Sequence, residues 1–118
     1  MALTKITSGV VANEYGSATG LNVANSAASV DWNSSAIFTI TPNEAVTLTF
    51  TDYKPGMVKA IVATGAGGSG ALTFPIQAID LAGTEFDNTS GVKNFIQIIC
   101  TSDSGNGEFF YTITQPST

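Results

Sequence analysis

The chain has 118 residues, 43% of them hydrophobic and only 11% charged, with a formal net charge of −5. That length serves a single core, and the acidic balance opposes nucleic acid and anionic lipid, both of which recruit clusters of Lys and Arg. There is no histidine and no arginine, so the usual base near pH 7 and the guanidinium clamp for phosphate are excluded, and the chain reads as a non-enzyme.

Residues 1–28 mix Ala, Ser, Asn and Gly with scattered Val and Leu, without the sustained period of a strand or a helix. The expectation is an extended N-terminal arm with short strands at 3–7 and 21–24, with two readings open: order gained on a neighbouring subunit, or a floppy terminus. The opening Met1-Ala2-Leu3-Thr4-Lys5-Ile6 has one Lys and no apolar stretch behind it, so no signal peptide is expected. No run approaches the roughly 18 apolar residues of a membrane span.

From residue 29 onward the period is two. Residues 29–33 and 36–41 are short strands around the turn-prone Asn33-Ser34-Ser35. Residues 45–51 alternate cleanly, Val46, Leu48 and Phe50 against Thr47, Thr49 and Thr51, which is a half-buried strand with a threonine-coated outer face. Pro42-Asn43 before it and Pro55-Gly56 after it read as tight turns, the second of type II. Residues 57–64 are the next strand, followed by Gly65-Ala66-Gly67-Gly68-Ser69-Gly70. That loop lacks the Gly-Lys-Ser/Thr ending and the helix of a phosphate-binding loop, so it reads as a hairpin connection. A short strand at 71–74 ends at Pro75, residues 76–88 are irregular, and strands at 93–101 and 107–114 close the chain around the loop 102–106. Seven or eight short strands without a helical stripe predict an all-β fold: a single antiparallel, jelly-roll-like β-sandwich over 29–118, with 1–28 as its arm.

A sandwich strand needs one apolar face, and several of these have two. With Lys59 set outward, Val58, Ala60 and Val62 point inward and Met57 and Ile61 are left outside. In the following long strand Ile96, Ile98 and Cys100 point inward, and Phe95 and Ile99 flank Gln97 outside. In the last strand Phe109, Tyr111 and Ile113 point inward, leaving Phe110. Met57, Ile61, Phe95, Ile99 and Phe110 are thus surplus apolar side chains, each worth about 1.5–3 kcal/mol when buried. A contiguous exposed patch of this kind marks an interface, unless the arm of the same chain folds back over it. Together with Leu3 and Ile6 of the arm, these residues are the candidate oligomer or capsid interface, and a homo-oligomer is expected.

Chemistry-bearing residues are sparse. Cys100 is the lone cysteine and lies in an apolar strand, where an inert buried thiol is expected; no histidine exists to activate it. Asp80, Glu85 and Asp87 offer oxygen ligands in one loop, but at no recognised spacing, and a solvated acidic loop is the simpler reading. Trp32, Tyr15 and Tyr53 would make an aromatic platform for sugars, against the simpler reading of Trp32 as a core or contact residue. No catalytic residue, metal site or cofactor is assigned.

Read in order, Phe38-Thr39-Ile40-Thr41, Val46-Thr47-Leu48-Thr49-Phe50, Lys54-Pro55-Gly56, Gly67-Gly68-Ser69-Gly70, Leu72-Thr73-Phe74-Pro75 and Thr101-Ser102-Asp103-Ser104-Gly105 resemble a recurring β-sandwich module of tailed-phage virion proteins. The opening Met1 to Ile6 is also similar to the starts of small phage structural proteins. The chain departs from the module at Ile76-Gln77-Ala78-Ile79, where such modules often carry Trp and a Gly-Gly pair. The resemblance implies a capsid decoration (cement) protein, made in the host cytoplasm and mounted as a trimer on the outer surface of the head, with the major capsid protein as partner. Its alternative is a receptor-binding or fibre-tip module that recognises host-surface glycan.

Overall fold

A computed structural model describes residues 16–117. Among them there is no helix, and ten strands form two sheets. In chain order these are β1 (Thr19–Gly20), β2 (Val23–Ala24), β3 (Ala27–Asp31), β4 (Ile37–Ile40), β5 (Ala45–Thr51), β6 (Val58–Thr64), β7 (Ala71–Thr73), β8 (Ala78–Asp80), β9 (Lys93–Ser102) and β10 (Glu108–Thr114). The larger sheet is ordered β1-β4-β6-β9-β10-β8 and the smaller β2-β3-β5-β7.

Between β3 and β8 the chain changes layer at every connection: β3, β5 and β7 belong to the smaller sheet, β4, β6 and β8 to the larger. Strands two apart in sequence therefore become neighbours that run the same way, as in β3 with β5, β5 with β7 and β4 with β6. Parallel neighbours require such a crossover, whereas a tight turn within one sheet gives antiparallel ones. The all-β class stands, but the antiparallel jelly roll expected from the sequence is corrected: both sheets are mixed. Antiparallel pairing is confined to β2 with β3, β6 with β9 and β9 with β10.

The turns of the middle segment take on a different role. Lys54-Pro55-Gly56-Met57 is a tight turn, with the Met57 N–H donating to the Lys54 carbonyl at 3.1 Å and Gly56 at a φ of 93°. It joins β5 to β6 across the two layers. The glycine-rich segment 65–70 likewise carries β6 into β7 of the opposite sheet and is not the hairpin loop expected. It is pinned against residues 88–92, the Gly65 N–H donating to the Val92 carbonyl and the Gly67 N–H to that of Asn88, both at 2.8 Å.

The sheets begin ahead of residue 29. β1 and β2 precede it, and Ala28 is already in the core. The strand expected at 21–24 is reduced to Val23–Ala24, and it turns into β3 through Asn25 and Ser26, both at positive φ (54° and 61°). Two such residues define the type I′ turn that matches strand twist. The strand expected at 3–7, with Leu3 and Ile6, lies outside the described residues.

The core between the layers is built from Val30, Trp32, Val46 and Leu48 of the smaller sheet and its connection, and Phe38, Ile61, Ile96, Ile98 and Phe109 of the larger. Each large side chain so buried contributes about 1.5–3 kcal/mol. β6 is the strand whose orientation the sequence misstates. Ile61 is 0% exposed and Lys59 only 2%, while Val58 is 53% exposed. Ile61 thus leaves the candidate interface for the core, and Val58, Ala60 and Val62 take the outer face in its place.

Candidate interaction face of the larger sheet

Because side chains alternate along a strand, burying the Lys59-Ile61-Ala63 set of β6 forces the other set outward. The ladders then align these residues across neighbouring strands. Val58 lies opposite Ile99, Ile99 opposite Phe110, and Phe110 opposite Ile79, so four strands present one unbroken apolar row. The next row is Ile37, Ala60, Gln97 and Thr112. The third is Thr39, Val62, Phe95 and Thr114. Phe95 (42% exposed) and Ile99 (38%) stand in the open, with Gln97 between them as the alternation predicts. Leu81, Ile99, Phe110 and Val58 border a shallow groove of about 240 Å³ on this face.

No ionisable side chain falls within these three rows. Charge appears only at the ends. Lys93, opposite Thr64, donates from Nζ to the Thr64 Oγ1 at 3.0 Å. At the far end the Glu108 carboxylate accepts from the Thr101 hydroxyl at 2.6 Å. Beyond it, Lys54 and Asp103 pair with each other at 3.3 Å.

The other expected candidates separate. Met57 packs half-buried against the core, while Phe110 is half-buried on the outer row. Cys100 is buried, and burial pushes its thiol above the usual range, so it is not poised as a nucleophile. The acidic loop does not converge. Asp80 accepts from the Ala82 and Gly83 N–H groups at 3.1 Å, and Asp87 accepts from Thr89 at 2.9 Å. Those hydrogen bonds from Thr89 hold the Asp87 carboxyl below the ordinary range. Among the described residues no group of three or more acidic or Cys side chains is placed to hold a metal.

Behind the acidic loop, Asn94 is fully buried and organises the chain around it. Its Oδ1 accepts from the Asp87 N–H at 2.8 Å and from the Gln115 amide at 2.7 Å, and its Nδ2 donates to the Ala63 and Asp87 carbonyls. The sequence offered no signal for this beyond a lone Asn in an apolar run.

The sugar-platform reading also changes shape. Trp32 is fully buried, and Tyr15 lies outside the described residues. Trp32 instead backs Phe50, Tyr53 and Phe109, with ring centroids 5.4, 6.4 and 5.5 Å away. Those three rings, with Pro75, Gln77 and Asn106, border an uncharged hollow of about 330 Å³ beside the part of β5 that runs past its pairing with β7.

Compared with known proteins, the chain matches no family model, no curated protein and no solved structure.

Proposed function

We propose that the protein is a non-enzymatic structural component of a tailed-phage particle, a capsid decoration protein that binds the assembled head from outside. The observation that carries this reading is the outer face of the larger sheet, three aligned rows without an ionisable group and with Val58, Ile99, Phe110 and Ile79 in one line. That line has neither charge nor hydroxyl, and an exposed apolar strip of this kind is normally covered by another protein. In this reading the face joins copies of the chain, and the first residues, Leu3 and Ile6 among them, contact the major capsid protein. Binding only the assembled lattice shifts its equilibrium away from disassembly by mass action, which needs surface complementarity and no reacting group. The test is to quantify the protein in purified particles and to heat particles that lack it. Hundreds of copies on the head and a lowered rupture temperature are expected; unchanged heat resistance refutes the reading.

A second reading, a fibre-tip module for host-surface glycan, is favoured by the hollow at Phe50, Tyr53, Gln77 and Asn106. Aromatic walls with neutral amides suit an uncharged polyol. A dozen or so copies per particle, placed on a fibre, would select it.

A further inference from the structure

Along β6 and β9 the outer face of the larger sheet is its own complement when turned end for end, and on β10 the same turn sets Phe110 against Thr114. Along β9 the outward side chains are Lys93, Phe95, Gln97, Ile99 and Thr101, and Thr101 holds Glu108. Gln97 is the midpoint. On one side of it come an apolar residue and a positive charge, on the other an apolar residue and a negative charge. Lys93 and Thr101 are about 26 Å apart at the rise of a strand.

We propose that two copies of this chain pack face to face through these sheets, related by a two-fold axis that crosses the strands at Gln97. The rotation lays each strand antiparallel on its own copy. Gln97 then meets Gln97 of the second copy, where the two amides, each donor and acceptor, satisfy one another. Ala60 meets Ala60 on the axis, while Phe95 meets Ile99, Val58 meets Val62 and Lys93 meets Glu108, each of these three pairs occurring twice, as an isologous interface requires. Neither charge has an ion partner of its own among the described residues, where Lys54 with Asp103 is the sole salt bridge.

The area is modest. The five strands β4, β6, β9, β10 and β8 hold 31 residues, which at the usual rise and spacing offer at most about 500 Å² per copy, about 1,000 Å² in total, at the small end of specific interfaces. Aligned packing of two sheets about 10 Å apart is an ordinary sandwich geometry. The pair is two-fold, in contrast to the trimer that the phage resemblance implies.

The test uses the isolated full-length chain and is therefore independent of its place in a virion. Sedimentation equilibrium from 1 to 100 µM is run on the wild type, on K93E, on E108K and on an equimolar mixture of the two variants. Both sites are exposed, so melting temperatures should match the wild type and rule out misfolding. The wild type should be a dimer. Each variant sets like charges opposite each other twice and should dissociate at least ~10-fold more readily. In the mixture one chain is acidic at both ends and the other basic at both, so a mixed dimer should form with wild-type strength. A monomeric wild type overturns the proposal and leaves the face to the capsid or to the chain's own first residues. A trimeric mass overturns it in favour of the threefold arrangement. Variants that each weaken association without rescue on mixing overturn the antiparallel register.

Discussion

Gly65 sits so close to Thr89 that a β-carbon on it would stand 2.1 Å from the Thr89 carbonyl oxygen. The glycine-rich segment is thus shaped by a close backbone approach, which is what lets β6 leave the larger sheet and reach β7 in the smaller. Gly68, in the same loop, has open space around it and a φ of 63°. Gly65→Ala should cost at least ~3 kcal/mol, since backbone must move on both sides, while Gly68→Ala should cost about 1 kcal/mol of left-handed strain. Urea melts of the two variants distinguish the cases; equal losses would show that the loop needs only flexibility.

The orientation of β6 gives a second outcome. Ile61→Lys puts a charge into a closed core and should cost more than ~3 kcal/mol, whereas Val58→Lys should change the stability of the single chain by less than ~0.5 kcal/mol. Thermal melts at micromolar concentration or below check this. The reverse ranking would restore the orientation read from the sequence.

That misreading has an identifiable cause. Val58, Ala60, Val62 and Ile61, Ala63 make both faces of β6 apolar, so Lys59 was the only residue to break the tie, and a lysine normally stays outside. Here it is buried. In β9 the tie-breaker was Gln97, which does stand outside, and the faces came out as read. The strands themselves were legible wherever a period of two ran for five residues or more, as in β5 and β10. Their connectivity was not, because Pro-Asn, Pro-Gly and glycine runs suit a change of layer as well as a turn within one sheet. The local geometry at Lys54-Pro55-Gly56-Met57 was right while its place in the topology was not. The interaction face is half legible: the alternation singles out Phe95, Ile99 and Phe110, but the row that Ile99 and Phe110 share with Val58 and Ile79 depends on pairings between residues 41 and 31 positions apart.

The β2–β3 turn is a place to gain stability. Ser26 occupies a left-handed conformation that glycine adopts without penalty, and Asn-Gly is the favoured pair for this turn. Ser26→Gly should raise the unfolding free energy by about 0.5–1 kcal/mol, seen as a rise in melting temperature. A fall would mean that the hydroxyl, not the backbone, sets the turn.

Asp52 supplies a dependence on pH. A hydrogen bond to Asp31 and the negative charge of that residue raise its carboxyl above the ordinary range. The folded chain therefore keeps this proton to higher pH than the unfolded chain does. Stability falls as pH climbs from the usual aspartate range through the folded value, because above it the two carboxylates repel. Asp52→Asn should raise the melting temperature at pH 7 and leave it nearly unchanged at pH 3. Asn also tolerates the positive φ of 60° found there. The same gain at both pH values would trace the effect to the backbone alone.

The alternation of layers between β3 and β8 also governs how the molecule comes together. No two successive strands in that stretch can pair with each other, so neither sheet can be laid down ahead of the other. The β9–β10 hairpin can close locally, but β5 finds its sheet only after the chain has passed out through β4 and back. Assembly in which most pairings wait on distant segments is slow, on the order of milliseconds to seconds for β-rich domains of this size. The same interlocking means that no single strand of the middle segment can be cut out without opening a gap in one layer and stranding a turn from the other.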